Sequence, residues 1–196
     1  VRSDSDILGR ISQGSDDSSI RQTQQQAWHE QILILKEVLS DRAGSIYFEY
    51  SIPRMGERID VVLLIGAVIF ALEFKVGDQQ FSSYGLDQVC DYALDLKNFH
   101  ETSHDQYVAP ILIATEAKAE ESALSPLLTP HSDKVFFPLK AVPTNLSQAL
   151  SAVLEFAEGA PIDATIWEMG NYCPTPTIIE AARALFNGHS VAEISR

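Results

Sequence analysis

Cysteine and positive charge are both scarce in this chain. Its 196 residues include only two cysteines, Cys90 and Cys173. Two are too few for a disulfide framework, and they lack C-x-x-C spacing, which points to a reducing cytoplasm. Lysine and arginine number 14 against 27 acidic residues, a formal net charge of −13. Affinity for nucleic-acid phosphates comes mainly from lysine and arginine. A chain this acidic is expected to bind duplex DNA weakly by itself, unless a partner or a further domain supplies positive surface. The same acidity favours solubility. The polar first residues show no signal peptide. The longest apolar run, Val61 to Phe74 interrupted by Gly66 and Glu73, is too short to cross a bilayer as a helix. No membrane association is expected.

Hydrophobic residues make up 45% and charged residues 21%, enough for the packed core of one domain with additions. Residues 1–20 are rich in Ser, Asp and Gly and read as a mobile tail. From Arg21, Ala27, Gln31, Ile34 and Val38 fall at helical spacing, and Trp28, Ile32, Leu35 and Leu39 widen the stripe. Gly44 is the expected stop. Three strands follow, in "SIYFEYSIP", "ERIDVVLLI" and "AVIFALEFKV". A loop over 77–83 leads to a helix over "YGLDQVCDYALDLKNFH", then a buried strand in "YVAPILIAT". "EAKAEESALSPLL" reads as partly helical, "KVFFPL" as a short strand, and "NLSQALSAVLEFAEG" as a helix capped by Asn145 and stopped by Gly159. Residues 160–196 are turn-rich with a short helix and read as an appendage or connector, leaving 21–159 as the main domain. This order predicts an α/β fold with a mixed central sheet flanked by helices. The strand over 108–115 follows a helical crossover and should run parallel to a central strand.

The hairpin around Gly66 invites a register calculation. A two-residue Gly66-Ala67 turn of type II′ puts Ile65 opposite Val68, Leu63 opposite Phe70, Asp60 opposite Glu73 and Arg58 opposite Lys75. Opposite residues share a sheet face, and so do Glu73 and Lys75, two apart on one strand. Arg58, Asp60, Glu73 and Lys75 would then cluster on one face of an otherwise apolar hairpin. Two adjacent carboxylates repel unless a cation lies between them. Hard oxygen ligands select Mg²⁺ or Mn²⁺. Lys75 beside such an ion could orient or deprotonate a water and offset charge on a phosphate oxygen. These are the parts for metal-assisted phosphodiester hydrolysis. The bland alternative is a solvated hairpin face with ordinary surface Glu and Lys.

Asp60 in "RID" and the "EFK" that ends the next strand resemble the core of the PD-(D/E)XK nuclease superfamily. Ile59 stands where the proline of that name would be. The resemblance implies a restriction-endonuclease-like αβββαβ core. It also implies Mg²⁺ or Mn²⁺ held by Asp60, Glu73 and the Phe74 carbonyl, with Lys75 assisting the nucleophilic water. Gln88 and Tyr92, four apart on one helix face, resemble the Q-x-x-x-Y motif of RecB-like nucleases, which implies that they position the DNA strand. Arg58 joins them as a substrate-binding candidate. Glu30 is placed like the helix-one glutamate that many members add to the metal shell, though a plain helix-edge glutamate is the competing reading. The stretch Tyr47 to His104, together with "YCPTPTIIEAA", is similar to the N-terminal region of bacterial nuclease–helicase fusions. That similarity implies DNA as substrate, a role in genome defence or repair, and a C-terminal helicase domain as partner. No G-x-x-x-x-G-K-[ST] occurs, so the motor is expected to lie outside these residues. A fold retained only to bind nucleic acid or to regulate an attached ATPase is the alternative.

"HETSH", residues 100–104, spells the H-E-x-x-H of zinc proteases. That chemistry needs both imidazoles on one helix face with Glu101 between them. Thr102 and Ser103 are poor helix formers, so the helix is expected to end near His100 and separate the imidazoles. Trp28, Trp167 and Tyr172 could stack bases, but core or interface packing is the plainer role. His29, His131 and His189 stand alone as surface residues, and Cys90 on the Q-x-x-x-Y helix is expected to be structural.

Overall fold

A computed structural model describes residues 18–52, 56–122 and 130–172. Its elements, in order, are α1 (Ser18–Val38), β1 (Ser45–Ile52), β2 (Glu57–Ile65), β3 (Val68–Lys75), α2 (Ser83–Phe99), β4 (Tyr107–Ala114), β5 (Leu139–Ala141), α3 (Leu146–Phe156) and α4 (Ala164–Glu168). The five strands form one mixed sheet in the order β1-β2-β3-β4-β5. The first three are antiparallel, and β3, β4 and β5 are parallel. The chain is therefore α/β, a mixed sheet flanked by helices. Among the described residues no helix is long and apolar enough to cross a membrane.

Alternation along the strands divides the core into two layers. Val61, Leu63 and Ile65 of β2 and Val68, Phe70, Leu72 and Phe74 of β3 pack with Leu35 and Val38 of α1 and with Leu146, Leu150 and Val153 of α3. Val62 and Leu64, with Ile69 and Ala71, face Tyr92, Ala93 and Leu96 of α2 and Trp167 of α4. The β2–β3 turn is the one expected. Gly66 has φ 56, Ala67 keeps a negative φ, and Ile65 pairs with Val68 and Leu63 with Phe70. A left-handed first turn residue is cheap only for glycine. Gly85 of α2 lies so close to β4 that a Cβ there would stand 3.0 Å from a Leu112 methyl, which sets how near α2 approaches the sheet.

Several boundaries differ from the sequence reading. α1 begins at Ser18, so residues 18–20 belong to a helix; the rest of the expected tail lies outside the described residues. The helix stops at Val38, well before Gly44. The strand expected in "KVFFPL" is reduced to two isolated bridges, Val135 to Val108 and Phe136 to Pro130, and the paired strand falls on Leu139–Ala141. Pro138 has no N–H for a ladder, and Phe137 turns out to solvent. α3 ends at Phe156, short of Gly159. Asn145 holds the preceding turn rather than capping α3: its Oδ1 accepts the Val142 N–H at 2.9 Å.

The larger correction concerns residues 160–172, which belong to the folded body rather than to a connector. Trp167 is 1% exposed and lies in the layer with Ile59, Val62 and Tyr92. Its indole N–H donates to Ser103 Oγ at 2.9 Å, and Ile162 N–H donates to the Gly66 carbonyl at 2.8 Å. Proline and turn residues marked this stretch as peripheral, but one large buried aromatic outweighs them. The helix expected further on, over 176–190, lies outside the described residues. Trp167→Ala should cost about 3–5 kcal/mol of stability in urea unfolding, the usual cost of a large aromatic deleted from a core. A cost under 1 kcal/mol would return this segment to the periphery.

Candidate active site

β2 and β3 pair as a ladder only from Val61–Leu72 to Ile65–Val68. Below that level β2 continues with β1 and β3 continues with β4, so the sheet opens between them. Asp60 and Glu73, at this opening, were expected as a facing pair. The ladder stops one step short of them, and a side chain completes the connection instead. The Phe74 N–H donates to Asp60 Oδ2 at 2.8 Å. In extended backbone the N–H and C=O of one residue point to the same neighbour. The Phe74 carbonyl therefore also faces the opening.

Phase slips on both strands at this level. On β2, Val61 faces α1 and α3, yet Ile59, two residues away, lies in the opposite layer with Val62. On β1, Phe48 packs with the first layer, whereas Tyr50 and Ile52 lie in the second. Between these residues stand Glu49 and Asp60. The ladder pairs Phe48 with Val61 and Tyr50 with Ile59 and omits the pair between them. Glu49 takes a left-handed φ of 51, uncommon for a residue with a Cβ. Slippage of alternation re-aims side chains, and here it re-aims two acids.

Beside them runs a chain of polar contacts. Lys75 Nζ donates to Glu73 Oε1 at 2.8 Å and to Gln88 Oε1 at 3.0 Å. Gln88 Nε2 donates to the Tyr92 hydroxyl at 2.7 Å. Gln88 and Tyr92 share a face because α2 places residues four apart one above the other. Glu73 is 5% exposed, and its Oε2 is buried with no hydrogen-bond partner. A buried carboxylate oxygen left without a donor is costly, and such sites ask for an ion or a water.

Burial pushes the Asp60 carboxyl up to about 7, helped by the Glu73 and Glu49 charges and opposed by the Phe74 N–H and by Lys75. Burial also raises Glu73, while Lys75 pulls it back and Glu49 and Glu57 push it further up. The Tyr92 hydroxyl is raised by burial and by the Glu73 and Glu57 carboxylates, against its bond from Gln88. Two carboxylates with raised values at one opening make this the candidate site.

The structure thus gathers Asp60, Glu73, Phe74, Lys75, Gln88 and Tyr92. It leaves out two candidates. Glu30 lies on the exposed side of α1, lining a surface groove with Gln25, Gln26, His29 and Leu33. Trp28, Gln31, Ile32 and Leu35 take the buried stripe, and that turns Glu30 to solvent. Arg58 does not meet Lys75. The phase slip at Asp60 sends its guanidinium toward β1, where it stands 3.6 Å from Glu49 Oε2. Two acids went unnoticed in the sequence, Glu49 and Glu57. A glutamate in the middle of the aromatic strand "YFEY" was the available signal.

The "HETSH" string does not form a helix face. α2 ends at Phe99 and His100 is its extended C-cap, followed by a 3-10 turn over Glu101–Ser103. His100 is buried against Trp167, with ring centroids 4.6 Å apart, and its Nδ1 is hydrogen-bonded to Ser103 Oγ at 2.7 Å. His104 is exposed. Among the described residues no three His, Cys, Asp or Glu side chains are grouped to hold a metal ion. Asp60 and Glu73 would hold one only with backbone oxygen and water completing the shell. Comparison with other proteins adds nothing to this geometry: no family model, curated protein or solved structure matches the chain.

The Asp60 value sets a pH test. Its folded value, about 7, lies above the ordinary 3.8, so its contribution to stability is full below pH 3.8 and lost as pH rises through 7. Asp60→Asn keeps an oxygen for the Phe74 N–H and removes the charge. It should stabilise the protein by about 2 kcal/mol at pH 8 and have little effect at pH 4. Denaturant unfolding at the two pH values checks this, and a destabilised variant at pH 8 would refute it.

Proposed function

We propose that this chain is a metal-dependent nuclease domain that hydrolyses phosphodiester bonds in DNA, with a restriction-endonuclease-like core. The observation that carries the reading is the Asp60–Glu73 pair, Asp60 half-buried and Glu73 buried with its Oε2 unpartnered, at the point where the sheet opens beside Lys75. The element order α1-β1-β2-β3-α2-β4 supports it, since it is the αβββαβ order that the resemblance implies.

The residues present fit a hard divalent cation. Two carboxylates, one with an idle buried oxygen, and the Phe74 carbonyl facing the same opening form an all-oxygen donor set. Mg²⁺ or Mn²⁺ would be held there, and when bound it supplies Lewis acidity toward a phosphate oxygen and lowers the pKa of a bound water. The chain's own groups do the remaining work. Asp60 is fixed by the Phe74 N–H, so its free lone pairs keep one direction. Lys75 has three donors. Two go to Glu73 and Gln88, and the third is left to orient an attacking water or to neutralise charge on the phosphate. Gln88 fixes Lys75 and is fixed in turn by Tyr92, so the ammonium cannot follow solvent. Gln88 and Tyr92 therefore act on the substrate strand partly through Lys75.

The charge of −13 supports a second reading, a nuclease fold that binds or regulates without cutting. The same charge supports a partner with positive surface, such as the helicase domain implied by the resemblance. Cleavage of single- and double-stranded DNA in Mg²⁺ or Mn²⁺ decides between catalysis and binding alone. Lys75→Ala and Asp60→Ala should each lower the rate on the order of a hundredfold or more while circular dichroism stays unchanged. Equal rates in all three proteins would overturn the nuclease reading.

A further inference from the structure

Glu49 had no place in the sequence reading, yet the fold sets it at the mouth of the site. It stands opposite Asp60, at the one step that the β1–β2 ladder omits. Asp60 in turn bonds to Phe74 N–H, next to Glu73. Glu49, Asp60 and Glu73 thus form a row of carboxylates across three adjacent strands. Glu73 Oε2, buried and without a donor, lies at the inner end of that row.

Glu49 is also held from two sides. The indole N–H of Trp28, from α1, donates to its Oε1 at 2.8 Å. The Arg58 guanidinium lies 3.6 Å from its Oε2. These contacts occupy both carboxylate oxygens and fix them in a residue with φ 51. The side chain is 17% exposed, so its charge is screened less than a surface charge.

We propose that Glu49 is a positioning residue of the site, whose charge strengthens divalent-cation binding at Asp60 and Glu73, with Arg58 tempering that charge and Trp28 holding it in place. The inference rests on the nuclease reading of those two acids. Both carboxylate oxygens of Glu49 are engaged, by Trp28 and by Arg58, so its part in the site is played through its charge rather than by ligation. A third carboxylate raises the negative potential at the pair, and at short range through protein that effect is large. Arg58 is the counterweight. The position expected to touch substrate instead sets the charge of a neighbour.

The two roles, charge and clamp, separate by the sign of their effects. Glu49→Gln keeps an oxygen for the Trp28 N–H and removes the charge. Arg58→Gln leaves Glu49 in place and uncompensated. Calorimetric titration with MnCl₂, on the full chain and without nucleic acid, should show roughly tenfold weaker binding for Glu49→Gln and severalfold tighter binding for Arg58→Gln. Both differences should shrink in ~0.5 M KCl, because they are electrostatic. Binding equal to the native protein in both variants, or shifts of the same sign in both, overturns the inference and leaves the nuclease reading standing. A native protein that takes up no Mn²⁺ overturns the nuclease reading, and this inference with it. Arg58→Gln remains a test by itself if Glu49→Gln does not fold.

Discussion

A side-chain carboxylate takes the place of a backbone partner where β2 leaves β3. The Asp60 Oδ2 to Phe74 N–H bond closes the end of the ladder and holds the sheet open beyond it. Everything polar nearby follows from that. Phe74, held by its N–H, turns its carbonyl to the same side. Glu73 and Lys75, on either side of Phe74, point together to the opposite face from its ring. Lys75 then reaches Gln88, and Gln88 reaches Tyr92. A regular hairpin continued through Asp60 would have satisfied the Phe74 backbone with the backbone of β2, and the acid would have been spare.

The site is expensive for the fold. It brings a half-buried and a buried carboxylate together, raises both of their pKa values and leaves one carboxylate oxygen unpartnered. Glu49 sits in a backbone region that costs a residue with a Cβ on the order of 1–3 kcal/mol. The apolar layers around it carry that load. Val61, Val62, Ile69, Phe70, Ala71 and Leu72 are fully buried next to the opening. Strain and raised carboxylates persist where a rigid surround over-determines them, and they concentrate at sites that do chemistry.

Buried His100 shows the opposite use of a titratable group. Burial, with His104 nearby, lowers it to about 4. The indole N–H of Trp167 donates to Ser103 Oγ, and the same oxygen is hydrogen-bonded to His100 Nδ1. The ring is a neutral packing element between Tyr50, Tyr172 and Trp167. A motif that spells a metal site is thus used to pin α4 and its flanks to the end of α2. Thr102 and Ser103, which stop that helix, supply the hydrogen bonds.

Much of the site could be read in the residues. Gly66 announced a two-residue turn, alternation on either side announced two buried strands, and the turn length set their register as far as Val61 and Leu72. The i, i+4 spacing of Gln88 and Tyr92 put them on one face, and the run of apolar strands with few breaks announced a sheet covered on both sides. These are local facts, decided by periodicity and by the conformational freedom of one glycine. The remainder came from packing between distant segments. Counting from the turn cannot show that β1 and β2 slip phase together, because the slip arises from how Phe48 and Tyr50 divide between two layers. That slip set Glu49 opposite Asp60 and turned Arg58 away from Lys75 toward Glu49. Trp167 joined the core, despite its turn-rich surroundings, because the assembled sheet and the end of α2 bring Tyr47, Tyr50 and His100 around its ring. Spacing along the chain determined which residues share a face; burial and layer packing decided which faces meet, since those energies belong to contacts between segments far apart in sequence.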